Sequence, residues 1–181
     1  MRELVVRRHS RRERPGQHLT QWGISLARRA GRGAGPFDLV VTSPLPRCVE
    51  TAVAMGFAVD QTDQRLAGPG GQGENYPEME LVDQKDGRAS LRRLIARGGP
   101  VAAFAREQAD IWREIASRAP EGGRALIVSH GGAFLDGVVL VLAPDAAAFG
   151  VGPLASYCGG VWLRLDGPSV SAAEIRVPTG G

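Results

Sequence analysis

The chain is poor in cysteine, has no long apolar run and carries little net charge, and each shortage removes a class of protein. Two cysteines, Cys48 and Cys158, among 181 residues are too few and too far apart for a disulfide framework or a zinc-ligand cluster; both read as buried reduced thiols. No apolar stretch approaches the roughly 18 residues that cross a bilayer, so a soluble protein without a membrane partner is expected. The opening Met1-Arg2-Glu3-Leu4-Val5-Val6 enters a strand-like run at once and offers no secretory hydrophobic region, which makes the cytoplasm the expected location. No internal repeat is present. With 43% hydrophobic residues, the length suits one globular domain over 1–181 built on a single core.

The formal net charge is only +3, yet Arg7, Arg8, Arg11, Arg12 and Arg14 crowd into one short segment. Such local basicity calls for an anionic partner. No aromatic side chains are interleaved with these arginines, as stacking platforms for single strands require, so nucleic acid is not expected. A small phosphorylated substrate fits better. Oligomeric state is not legible.

Hydrophobic periodicity gives the order of elements. Leu4-Val5-Val6 reads as a buried strand, Thr20 as the N-cap of a helix over Gln21 to Ala30, and Phe37 to Thr42 as a second strand. Ser43-Pro44 then resembles a helix start, with Leu45, Val49, Ala52 and Val53 at helical spacing as far as Met55. Phe57 to Val59 suggests a short third strand. Leu66 to Asp86, rich in Gly, Pro and polar residues, reads as an active-site loop or lid. Helices follow over Ser90 to Arg97 and Pro100 to Ala119, the second with an apolar stripe of Val101, Phe104, Ala105, Ile111 and Ile115. Ala125 to Ser129 is the strongest strand, continuously apolar as in a sheet covered on both faces. Gly131-Gly132 turns into a helix over Ala133 to Leu142, and a hairpin around Asp166-Gly167 closes the chain. The alternation predicts a three-layer α/β/α sandwich with a mostly parallel central sheet, whose ligand sits beyond the carboxyl ends of strands at a switch point. His9 and His130 both fall at such ends.

A neutral imidazole is a competent nucleophile toward phosphorus when fixed cations neutralise the non-bridging oxygens. Arg8-His9 supplies both groups side by side. Arg47, in the first turn of a helix, faces the positive end of its dipole; an anionic ligand resolves that conflict, and an ordinary ion pair with Glu50 is the alternative. His130 adds a hydrogen bond. His18 lies in a polar loop and reads as a surface residue, while Arg11, Arg12 and Arg14 suit either a solvated loop or a substrate-selecting rim.

On four motifs the sequence resembles the histidine phosphatase superfamily, the phosphoglycerate mutase-like family. The family's Arg-His-Gly appears as Arg8-His9-Ser10, and its Leu-Thr-x-x-Gly as Leu19 to Gly23. Ser-Pro-Leu-x-Arg-x-x-x-Thr-Ala appears as Ser43 to Ala52, and Val-Ser-His-Gly-Gly as Val128 to Gly132. The resemblance implies a phosphoglycerate mutase-like fold and a phosphatase that hydrolyses phosphate monoesters, with no metal or other cofactor. His9 would become phosphorylated, while Arg8, Arg47 and His130 bind the phosphoryl group.

Two departures bear on mechanism. The family's Leu-x-Glu after the third strand aligns on Leu66-Ala67-Gly68, so the expected acid for the leaving oxygen is missing there; Glu74 is the first choice in its place, with Glu78 and Glu80 as rivals. Ser10 replaces a glycine, its hydroxyl either donating to a phosphate oxygen or simply being accommodated. The missing acid leaves two other functions open: a phosphate- or phosphopeptide-binding module with impaired turnover, and a mutase-type phosphotransferase.

Overall fold

A computed structural model describes residues 1–68, 76–83, 85–145, 149 and 151–177. Burial along the first strand, β1 (Arg2–Arg8), alternates between two cores. Leu4 and Val6 join one hydrophobic cluster and Val5 joins the other, because successive side chains of a strand point to opposite faces. β4 (Arg124–Ser129) repeats the pattern, with Ala125 and Ile127 on one side and Leu126 and Val128 on the other. A sheet apolar on both faces needs cover on both.

Among the described residues six strands form one sheet in the order β3-β2-β4-β1-β5-β6. β2 (Leu39–Thr42), β3 (Gln61–Thr62), β4 and β1 run parallel. The terminal hairpin of β5 (Gly160–Asp166) and β6 (Ser169–Arg176) adds two antiparallel strands beside β1. The third strand lies at Gln61–Thr62 and not at Phe57 to Val59. Phe57 instead packs its ring edge-on against Phe37, so apolar character there serves a helix-sheet contact.

One face is covered by α3 (Gly87–Arg97), α4 (Pro100–Ser117) and α5 (Asp136–Leu142). Trp112 and Ile115 of α4 are fully buried, and such side chains contribute roughly 1.5–3 kcal/mol each. The other face carries α1 (Gln21–Gly31) and α2 (Pro46–Ala54). α2 starts two residues later than the Ser43-Pro44 pair suggests, with Pro46 in its first turn and no side-chain cap. Its buried face is Arg47, Cys48, Thr51 and Ala52, whereas Val53 is exposed. The helix after Gly131 likewise splits into a 3₁₀ turn over Gly132–Phe134 and α5.

The segment read as a lid is partly built into the core. Gln64–Ala67 forms a 3₁₀ turn that buries Leu66 and Ala67, and Pro77–Leu81 forms another, with Tyr76 tilted against Phe104 of α4. Glu78, one rival for the acid, accepts from the Val101 N–H at 3.2 Å. It thus satisfies an orphan donor at the start of α4, where Gly99 supplies no side chain to do so. Glu80 is exposed.

Candidate active site

β1 and β4 are parallel neighbours in register, with Arg8 opposite Ser129, so the residues just beyond them, His9 and His130, are brought side by side. The His9 N–H donates to the Ser129 carbonyl at 2.8 Å. The two rings lie 5.4 Å apart between centroids at 68°. From this point β1 leads to α1 on one face and β4 to α5 on the other. Adjacent strands with connections to opposite faces leave a crevice, the usual ligand position in an open α/β sheet. A cavity of about 500 Å³ occupies it, lined by Arg8, His9, Arg47 and His130 together with residues of the rim.

Hydrogen bonds fix the form of each imidazole. Nδ1 of His9 lies 2.7 Å from the Ser10 carbonyl oxygen, which can only accept. Nδ1 therefore carries the proton and Nε2 the lone pair. Burial, opposed by that hydrogen bond and reinforced by the guanidinium groups of Arg47, Arg8 and Arg12, pushes the His9 pKa down to about 3. Burial, then His9, Arg47 and Arg8, push His130 down to about 2. Nδ1 of His130 faces Arg47 Nη2 at 3.4 Å, and its Nε2 lies 3.1 Å from Ser43 Oγ. Guanidinium only donates, so the His130 proton belongs on Nε2.

These shifts make a stability prediction. The unfolded imidazoles titrate near 6.5, far above the folded values of about 3 and about 2. The unfolded chain therefore binds more protons in that window, and stability is full above about pH 6.5 and lost as pH falls toward 3. Urea midpoints measured between about pH 4 and pH 7 should fall more steeply for the wild type than for His9→Asn. Equal slopes would show that His9 is not held neutral.

The cations are set by different means. Arg8 donates from Nη1 to the Ala155 carbonyl at 2.8 Å and lies 4.5 Å above the Tyr157 ring. Gly131 gives it room: a Cβ there would stand 2.8 Å from Arg8 Cδ. Arg47 donates from Nη1 to Gln17 Oε1. The alternative pairing of Arg47 with Glu50 is not what forms. Glu50 takes the Leu19 N–H at 2.7 Å and His18, and that contact raises the His18 pKa. His18 is exposed as expected but has this partner.

Thr51 joins the two halves of the site. Its hydroxyl accepts from the Ser10 N–H at 2.8 Å and donates to the Arg47 carbonyl at 2.6 Å. The fully buried Ser10 donates from its own hydroxyl to the Gly23 carbonyl at 2.7 Å, so it is accommodated in the protein and is not aimed at a ligand. Gly23 has a clear reason to be glycine, because a Cβ would lie 2.1 Å from the Arg11 carbonyl oxygen. Thr20 caps α1 by accepting from the Gly23 N–H at 2.9 Å. Cys48 is buried beneath His130, with burial raising its thiol to about 12, which leaves it inert.

The missing carboxylate at position 68 has a steric cause. Gly68 has φ +76°, and a Cβ there would stand 2.2 Å from Phe134 Cζ. That ring packs edge-on against both His130 and Phe104 and occupies the space an acid would need. Glu74 lies outside the described residues. Among the described residues, Asp83 is the carboxylate that lines the cavity. Sequence reasoning passed over it, together with Gln17, Ser43 and Tyr157. Motif spacing flagged Ser43 only as a cap, and nothing local distinguishes the other three.

The chain belongs to the histidine phosphatase superfamily (branch 1), whose family model matches residues 6–142. Its fold is shared by the phosphoserine phosphatase of Entamoeba histolytica solved with 3-phosphoglyceric acid, at TM-score 0.70 and 20% identity over 99% of this chain and 98% of that one. A mycobacterial glucosyl-3-phosphoglycerate phosphatase solved with VO3 gives TM-score 0.64 at 21% identity, covering 100% of both chains. Bacillus stearothermophilus YhfR gives 0.64 at 22% identity, covering 93% of each. At these identities the likeness is one of fold. No curated protein matches the chain, and no helix among the described residues is long and apolar enough to cross a membrane.

Proposed function

We propose that this protein is a phosphatase that hydrolyses small phosphate monoesters through a phosphohistidine on His9. The observation that carries the reading is the Ser10 carbonyl on His9 Nδ1, which reserves Nε2 as a lone pair in a cavity shared with Arg8, Arg47 and His130. Nε2 attacks phosphorus and the bond to the ester oxygen breaks, with the departing oxygen taking a proton from an acid. Water, giving a proton back to that acid, then attacks the phosphohistidine; the N–P bond breaks, and inorganic phosphate leaves. Guanidinium groups neutralise the phosphoryl oxygens, a task that calls for no metal. The named activities of two structural relatives, toward phosphoserine and glucosyl-3-phosphoglycerate, support a phosphate-bearing small molecule as substrate.

Intact-mass measurement after rapid quench tests the intermediate. A phosphate adduct is expected on the wild type and absent from His9→Ala; an adduct that survives the substitution places the nucleophile elsewhere.

We assign the acid to the segment over 66–86, where Glu74 is the first choice and Asp83 on the cavity wall its competitor. General acid catalysis contributes about 10²–10⁴-fold when the leaving group is basic. Loss of the acid should therefore lower kcat on an alkyl phosphate by about 100-fold and on an activated aryl phosphate by less than about fivefold. Glu74→Gln and Asp83→Asn, assayed on both esters, identify the donor as the variant showing this split. No split in either variant removes both from the mechanism, and slow alkyl turnover in the wild type would favour the binding-module reading.

A further inference from the structure

We infer that Asp136, buried at the start of α5, is a positioning residue for phosphate binding: it holds the Ala155 backbone, which in turn holds the Arg8 guanidinium. The inference rests on the phosphatase reading, in which Arg8 grips the phosphoryl group.

Arg8 is fixed at its two ends by different means. Its N–H donates to the Gly159 carbonyl at 2.8 Å and its carbonyl accepts from the Cys158 N–H at 3.1 Å, so the backbone is tied to the turn before β5. Its guanidinium sits at the end of a long side chain, and there Nη1 donates to the Ala155 carbonyl at 2.8 Å. The position of that carbonyl therefore governs where the charge stands. Residues 153–156 belong to no helix or strand, so no ladder of backbone bonds sets it.

Asp136 supplies what a ladder would. Its carboxylate is 2% exposed, and both oxygens lie 3.1 Å from the Ala155 nitrogen, whose N–H they accept. Ala155 thus has its N–H on Asp136 and its carbonyl on Arg8. Asp136 is itself held by α3, whose Arg88 donates from Nε to Oδ1 at 3.2 Å. The Arg88 N–H also donates to the Gly152 carbonyl at 3.0 Å, and Asp86 accepts from the Gly152 N–H at 3.0 Å. The stretch from Gly152 to Ala155 is stapled at both ends by the start of α3 and by Asp136.

Buried carboxylates are costly, and this one is retained where it acts on the site. Burial raises the Asp136 pKa, and the Ala155 N–H, Arg88 and Arg8 oppose that shift. In return, burial lowers the Arg8 pKa, which Tyr157 and Asp136 raise. If the Asp136–Arg88 pair served only to close α3 on α5, Arg8 would not register its loss.

The experiment places Asp136→Ala and Asp136→Asn in the full chain, first with Arg8 intact and then with Arg8→Gln. It reads kcat/KM on 3-hydroxypropyl phosphate and calorimetric Kd for inorganic phosphate. With Arg8 intact, Asp136→Ala should lower kcat/KM and weaken phosphate binding by about tenfold or more, the effect of a misplaced clamp. Asp136→Asn keeps an oxygen for the Ala155 N–H and should recover part of that loss. With Arg8→Gln, neither substitution should cost more than about twofold, because residues acting through one contact are not additive. Equal losses in both backgrounds would reveal a merely structural role and overturn the inference, as would wild-type behaviour of Asp136→Ala. Should Asp136→Ala fail to fold, its combination with Arg88→Met, which leaves no unpaired buried charge, replaces it in the cycle. Failure of the wild type to hydrolyse the ester sinks the phosphatase reading instead, and the phosphate Kd values still decide the role of Asp136.

Discussion

His9→Ala should lower kcat by roughly 10⁴–10⁶-fold, the scale on which removal of a covalent nucleophile is felt. The guanidinium groups remain in this variant, so affinity for inorganic phosphate should change by less than about tenfold, and the deficit should fall on turnover. The distinction matters because His9 is also structural: its N–H ties β1 to Ser129, and its ring contacts His130 and Tyr157. A merely structural role would move thermal stability and phosphate affinity along with rate. Turnover retained within about tenfold of wild type would mean that Nε2 is not the attacking atom.

Arg47→Ala should lower kcat/KM by about 10²–10³-fold, as expected for a donor aimed at charge that develops in the transition state. Arg47→Lys should recover only part of this. An ammonium keeps the charge but cannot span both Gln17 and His130, which the fork of Arg47 reaches from its two terminal nitrogens. The alanine substitution also tests the electrostatics, because Arg47 is one of the groups that lower the pKa of both imidazoles. Its removal should raise both, detectable by following the ring protons through a pH titration. Full recovery in the lysine variant would reduce Arg47 to a point charge.

The sequence made the paired strands and the convergence of His9 and His130 legible for a physical reason. His9 and His130 terminate β1 and β4, whose continuous apolar runs admit only a sheet covered on both faces, and parallel register then brings their ends together. Cys48 and Cys158 are buried free thiols, as their number and spacing suggested. Less was legible where tertiary contacts override local pattern. The stretch Phe57 to Val59 has strand-like composition, but Phe57 is used against Phe37, and the strand forms at the polar Gln61–Thr62. Val53 has helical spacing yet faces solvent, because α2 turns Cys48, Thr51 and Ala52 inward. Glu78 lies in the segment expected to carry the acid and is diverted to the start of α4. Asp83 could not be distinguished from any loop aspartate before the cavity around it was known.

The Thr51 hydroxyl, shared between the Ser10 amide and the Arg47 carbonyl, has a further meaning. It couples the segment after β1, which carries His9, to the start of α2, which carries Arg47, so a displacement of either is passed to the other. On the proposed mechanism, adaptation to a new ester falls to the rest of the cavity lining, such as Met79, Val82 and Asp83. On that mechanism the phosphoryl end of the pocket is a fixed gauge, and the choice of leaving group is made elsewhere.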